Sequence, residues 1–196
     1  AIGYFHILLL SFDKIHFTNV ITEVCENIPA LRSRIYFEDG SLYQIPIDIS
    51  TYKPMLRFNQ ISDITNRAIV EEYFRESRKE LFDLNKGDCI HTYVCHDSER
   101  AVVQVVIHHA ITDVSSNAII ENYIKDLYQK KSPTFNLKGD NYYTFSKAQG
   151  RFINSSAFDI QLKNLEQACY EILENKGRHF LPSDYFEKPN KQVIAH

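Results

Sequence analysis

The sequence predicts a mixed α/β layer fold, and three features carry that expectation. Short apolar runs of strand length alternate with segments whose apolar residues recur at helical spacing. Apolar residues make up 44% of the chain and aromatic residues 13%, enough to bury a core. The run Ala101–Ile107 is apolar on both faces except at Gln104, the pattern of a central strand covered on both sides.

The elements follow in order. "FHILLLSF" is a short apolar run and reads as a buried strand. "TNVITEVCENI" carries Val20, Ile21, Val24 and Ile28 at helical spacing, with Thr18 placed to cap the helix. "RSRIYFEDGSLYQIPID" predicts a hairpin turning at Asp39-Gly40. "MLRFNQISD" reads as a further strand. "NRAIVEEYFRESRKELF" puts Ile69, Tyr73 and Phe74 on one helical face. "CIHTYVCHDSERAVVQVVIHH" predicts two antiparallel strands joined at Asp97–Arg100. The next helix opens after Asp113 and runs through Lys130, with Ile120, Ile124 and Leu127 along one stripe. "KKSPTFNLKGDNYYTF" reads as a looser segment broken by Pro133 and Gly139. A long helix is expected from about Phe158 to Asn175, with Leu162, Leu165, Cys169 and Ile172 on its face and Gly177 near its C-cap. The Pro-containing tail "FLPSDYFEKPNKQVIAH" reads as a linker.

Bulk properties exclude several classes. A chain of 196 residues predicts one domain or one large lobe. The net charge is −3 with the two signs mixed along the chain, which argues against a nucleic-acid footprint. No apolar stretch is long enough to span a membrane, and the start "AIGYFHILLLSF" lacks the basic residues and cleavage site of a signal peptide. The four cysteines, Cys25, Cys89, Cys95 and Cys169, show no CxxC or zinc spacing. They are expected to be free, buried thiols of a reduced, cytoplasmic protein.

The chemistry-bearing stretch is "VVIHHAITDVSS". If the strand continues into His108 and His109, their side chains point to opposite faces. His109 shares the parity of Val103, Val105 and Ile107, and His108 that of Gln104 and Val106. One can reach a cleft while the other is tied into the fold. Two imidazoles on opposite faces make poor partners for one metal, so no metal site is expected. Asp113 sits where a helix begins and can cap its free N–H groups. An arginine from elsewhere could pair with it. The start of that helix is also a place to hold an imidazole near neutral and ready to accept a proton. Residue physics leaves two readings open: a catalytic cluster, or structural histidines beside a capping aspartate.

The same stretch resembles the HHxxxDG signature of the condensation domains of nonribosomal peptide synthetases, within the chloramphenicol-acetyltransferase-like superfamily of thioester-dependent acyltransferases. Here it stands as His108-His109-Ala110-Ile111-Thr112-Asp113-Val114. "PALRSRIYFEDGSLYQIPID" is similar to the family's "LRTRF" segment and following hairpin. "LFDLNKGDCIHTYV" resembles its "F-D-L" stretch, and "IIENYIKDLYQK" the helix that ends in Leu-Tyr. "YYTFSKAQ" and "FLPSDYFEKP" resemble later landmarks of the same lobe.

The resemblance implies a two-layer α/β sandwich with a mixed sheet, one lobe of the chloramphenicol-acetyltransferase-like fold. Residues 1–180 would form the N-terminal lobe of a condensation-like domain, and 181–196 a linker toward a C-terminal lobe. His109 would be the catalytic histidine, as general base or by positioning the amine. His108 would be mainly structural. Asp113 would pair with an arginine, Arg32 by first choice and Arg34 by second. Val114 departs from the motif's glycine. A β-branched residue there takes up space and resists positive φ, which puts ordinary activity in question. The other six histidines match no motif and read as ordinary. The implied reaction joins an acyl or peptidyl thioester to an acceptor amine. Both ride on phosphopantetheine arms of peptidyl or acyl carrier proteins, beside the adenylation domains of a synthetase. No metal, nucleotide or bound cofactor is required. Rival expectations are an acyltransferase for a free amine or alcohol, an epimerising lobe, and a silent module that docks carrier proteins.

Overall fold

A computed structural model describes residues 1–135 and 142–176. Their contacts divide the chain into two compact units, Ala1–Tyr142 and Tyr143–His196. The first unit holds β1 (Ile2–Leu9), α1 (Lys14–Asn27), β2 (Ser33–Glu38), β3 (Ser41–Pro46), β4 (Met55–Gln60), α2 (Arg67–Ser77), β5 (Ile90–His96), β6 (Ala101–His108) and α3 (Val114–Tyr128). The four-stranded sheet has the order β1-β6-β5-β4. β6 pairs antiparallel with β1 and with β5, while β4 pairs parallel with β5, so the sheet is mixed.

The main core lies between this sheet and the layer of α1 and α3. Phe17, Val20, Ile21 and Val24 of α1 meet Ile7, Val103, Val105 and Ile107 of the sheet, together with Ile120 and Ile124 of α3. On the opposite face the shorter α2 lays Val70 and Phe74 against Tyr93, Cys95 and Val106. β6 is therefore internal and covered on both sides, and Gln104 within it is fully buried. Its amide is satisfied in part by His6 of β1, at 2.8 Å.

Several local expectations change in the fold. Among the described residues β1 has β6 as its neighbour and is mainly covered on one face, so Phe5, Ile7 and Leu9 are buried while Leu8 is exposed. α1 starts before Thr18: Asp13 is its N-cap and accepts from His16 N at 2.9 Å, while the Thr18 hydroxyl donates back to Lys14 O. On α2 the buried stripe is Val70 and Phe74 with Tyr73 half-buried, and Ile69 faces solvent. The β2–β3 hairpin turns at Asp39-Gly40 as expected, with φ of 50° and 78°. Positive φ at both central residues matches the twist of the flanking strands.

The second unit contains α4 (Tyr142–Ile153) and α5 (Ser156–Lys176). α5 is the expected long helix. α4 takes in "YYTF", which the sequence places in a loose segment; the breakers Pro133 and Gly139 lie before it. Leu162, Leu165 and Cys169 of α5 are exposed. Gly139, Gly177 and the tail lie outside the described residues, as does the boundary expected at residue 180. All four cysteines are free thiols. Cys25, Cys89 and Cys95 are buried as expected, and burial pushes the Cys25 thiol up to about 12 and that of Cys89 to about 11. Cys169 departs from the expectation by its exposure. No helix among the described residues is long and apolar enough to cross a membrane.

The capping geometry makes a direct forecast. Asp13→Ala should cost about 1 kcal/mol of stability through loss of an N-cap. Thr18→Ala should cost distinctly less, because its hydroxyl bonds a carbonyl inside the helix. Urea melts of the two variants measure both.

Candidate active site

The site is built where β6 ends. The ladder with β5 carries through His108, whose N–H donates to Cys89 O at 3.1 Å. The chain then turns, with Ile111 N donating to His108 O and His109 N donating to Ala1 O, each at 3.1 Å. The strand's alternation sends the two imidazoles to opposite sides of the sheet, as expected. His108 is half-buried and meets Phe82 edge-on, ring centroids 5.6 Å apart, on the α2 side. His109 is exposed beside the start of α3.

Their hydrogen bonds assign different proton arrangements. The Nδ1 of His108 accepts the N–H of Ala110 at 3.1 Å, so that nitrogen presents its lone pair. Burial lowers the pKa of His108. The Nδ1 of His109 lies 3.1 Å from Thr112 O, a group that only accepts, so this nitrogen carries the hydrogen. In the neutral ring the lone pair is then at Nε2. A tautomer fixed by a backbone carbonyl is the arrangement a proton acceptor needs.

Behind His109 the wall is close-packed and polar. A Cβ at Gly3 would collide with Asn117 Nδ2 and would stand 3.3 Å from His109 Cε1. The absence of a side chain at Gly3 is what lets α3 approach β1 here. Asn117 is 9% exposed, and its Oδ1 and the nearby Thr112 Oγ1 have no hydrogen-bond partner among the described residues. Neither Gly3 nor Asn117 carries a sequence signal, because each matters only through the other.

Asp113 is the N-cap of α3 and accepts from Ser116 N at 2.7 Å. It is exposed and makes no ion pair among the described residues. The expected pairing with Arg32 or Arg34 is therefore corrected. Arg32 donates through Nε to Cys25 O at 3.0 Å and through Nη1 to Ile47 O, tying the end of α1 to the chain after β3. Arg34 donates to Asn85 O at 3.1 Å and lies over the Tyr36 ring. Both guanidiniums are taken up by local carbonyls, and the Asp113 carboxylate by its own helix. Val114 is the first residue of α3, 81% exposed, and its φ is not positive. The backbone here does not require the motif's glycine, so the expected strain is absent.

The ordinary reading of the other histidines fails at His91, which is 2% exposed on β5. Its Nε2 lies 2.8 Å from both carboxylate oxygens of Asp88, and its ring stacks on Phe82 with centroids 3.9 Å apart. The signal was present in "GDCIHTYV" as an aspartate three residues before a histidine on a strand. It matches no motif.

The hydrogen bond from the Ser116 backbone, with the Ser116 side chain, holds the Asp113 carboxyl below the usual carboxylate range. A depressed folded-state value means that its stabilisation is full above the unfolded value and is lost as pH falls through the folded one. Asp113→Ala should lower the melting temperature by a few degrees at neutral pH, and by less in acid below about pH 4. The double variant with Arg32→Ala should be additive, since the two side chains share no partner. A coupling between them would restore the ion pair.

Residues 6–193 match the family described as Condensation domain. The chain is similar to bacitracin synthase 3 of Bacillus licheniformis, 27% identical over 124 residues, which are 61% of this chain and 2% of that protein. Its fold is similar to that of the condensation domain from the Monacolin K polyketide synthase MokA, with a TM-score of 0.69, 17% identity, and coverage of 85% of this chain and 37% of that one. The epimerization domain from the third module of tyrocidine synthetase B is also similar, with a TM-score of 0.68, 18% identity, and coverage of 90% and 39%. The chain thus spans about two fifths of the length of these structures and a small fraction of the synthase. With the model matched across nearly its whole length, and the paired histidines at the end of a central strand of a mixed sheet, the chain belongs to the condensation-domain family.

Proposed function

We propose that this chain supplies the histidine-bearing lobe of a domain that forms an amide bond between a carrier-bound acyl or peptidyl thioester and an acceptor amine. The observation that carries the reading is His109: exposed at the end of β6, with Nδ1 bound to Thr112 O and the lone pair of its neutral ring at Nε2. The amine nitrogen attacks the thioester carbonyl, a C–N bond forms and the C–S bond breaks. Nε2 takes the proton that the nitrogen loses, and that proton leaves with the thiolate. The products are an amide and a free thiol. The thioester supplies the activation, so no metal or nucleotide enters.

In this reading both substrates arrive on phosphopantetheine arms of peptidyl or acyl carrier proteins, within a synthetase that also carries adenylation domains. Holding two tethered reactants together supplies much of the acceleration, and the positioned base adds a smaller factor. The remaining three fifths of a typical relative would provide the facing lobe and enclose the reaction between the two.

In the two-lobed protein, His109→Ala should reduce amide formation by roughly 10²–10⁴-fold, the usual range for a positioned base, with folding retained. Because the Val114 side chain faces solvent, Val114→Gly should leave the rate equal or improve it. Single-turnover formation of product from a carrier-bound donor reads both. Amide formation indifferent to His109→Ala would return the histidine pair to a structural role. Absence of product with a broad panel of donors, together with carrier-protein affinity unchanged in both variants, would favour a silent docking module. Residues 1–196 alone should give no detectable condensation, and turnover by that piece would overturn the need for a facing lobe.

A further inference from the structure

On the face of the sheet opposite His109, four charged or ionisable groups are arranged around one buried ring. His91 Nε2 contacts both oxygens of Asp88 at 2.8 Å, and His91 Nδ1 lies 3.1 Å from Tyr93 Oη. Tyr93 Oη in turn donates to Glu80 Oε2 at 3.1 Å, and Glu80 Oε1 is paired with Arg57 of β4. Tyr73 of α2 closes the group edge-on against Tyr93, with centroids 6.4 Å apart. Phe82 stacks flat on His91, 3.9 Å between centroids and 14° between planes, and presents its edge to His108.

Counting hydrogens favours one state of the ring. A carboxylate accepts only, so the contact with Asp88 places a hydrogen on Nε2. Tyr93 has one hydroxyl hydrogen, and it goes to Glu80, the ion-pair partner of Arg57. The contact between Nδ1 and Tyr93 Oη then needs its hydrogen from the imidazole. With a hydrogen on each nitrogen the ring carries a positive charge. Only the His91 ring is buried: the Asp88 side chain is 30% exposed, and Glu80 shares its charge with Arg57, which reaches solvent. The alternative, a neutral His91, leaves two acceptors competing for the single tyrosine hydrogen.

We propose that His91 is a positioning residue of the paired-histidine turn: a buried imidazolium, clamped by Asp88 and Tyr93, whose face carries Phe82 and through it fixes His108 at the end of β6. The β6 register sends the two rings to opposite faces, and because His108 and His109 are consecutive, a backbone shift that follows displacement of the first ring is passed to the second. The geometry stands by itself and the charge state is what the spectra below read; the effect on turnover rests on the proposed function.

The test uses the full 196-residue chain labelled with ¹⁵N-histidine. Long-range ¹H–¹⁵N spectra at neutral pH should show both His91 ring nitrogens as N–H type, assigned by their loss in His91→Gln. A nitrogen of the unprotonated type at His91 would overturn the proposal. His91→Gln should also displace the His108 ring signals, and His91→Arg, which keeps a cation between Asp88 and Tyr93, should bring them back toward the parent. His108 signals unmoved in a folded His91→Gln protein would overturn the positioning role. If that variant does not fold, Phe82→Leu replaces it, with His91 assigned in the parent through its contacts to Phe82 and Tyr93: the His91 pattern should persist and the His108 signals should move, and unmoved signals overturn the proposal equally. In the two-lobed protein, His91→Gln should lower kcat by roughly 10-fold to 100-fold, the scale of a small misplacement, with KM unchanged and recovery in His91→Arg. A parent that makes no amide at all strikes the proposed function, while the spectra decide the positioning role independently.

Discussion

The pairing of β6 with β1 on one side and β5 on the other is the constraint on which the site depends. Val103, Val105 and Ile107 are fully buried against the α1–α3 layer, and Gln104 and Val106 are buried on the other face. A slip of one residue would move each of these to the wrong face, so the register is strongly specified. The same register decides that His109 emerges beside α3 while His108 turns toward Phe82. The difference between the two histidines is thus inherited from the strand and would persist whatever the loop after them did.

The two faces solve their electrostatics differently. On the α3 side the charges are few and local. Asp113 is spent on its own helix, His109 binds a backbone carbonyl, and the Asn117 amide sits buried against Gly3. On the α2 side Asp88 and Tyr93, with Glu80 beyond Tyr93, are drawn around His91, and Phe82 lies between it and His108. An exposed imidazole with one nitrogen fixed suits proton transfer, whereas a half-buried one that accepts a backbone N–H suits support. The arginines expected at the site instead stitch carbonyls: Arg32 holds the end of α1 to the chain after β3.

Much of the fold and part of the site were legible in the sequence by itself. Periodicity located β5, β6, α3 and α5, the Asp39-Gly40 pair announced its hairpin, and Asp113 announced a helix start. The opposite orientation of His108 and His109 followed from strand geometry, and the motif around them pointed to the family. These features depend on residues within a few positions of each other, so the local backbone encodes them. Tertiary structure alone decided the rest. Whether β1 is buried on one face or two depends on which helices pack over it. Which carbonyls Arg32 reaches, that Asp113 meets no arginine among the described residues, that Gly3 makes room for Asn117, and that Asp88, Tyr93 and Phe82 close around His91 are all matters of which distant segments the sheet brings together. A long side chain of given chemistry has many possible partners along a chain, and only the register and direction of the packed elements select one.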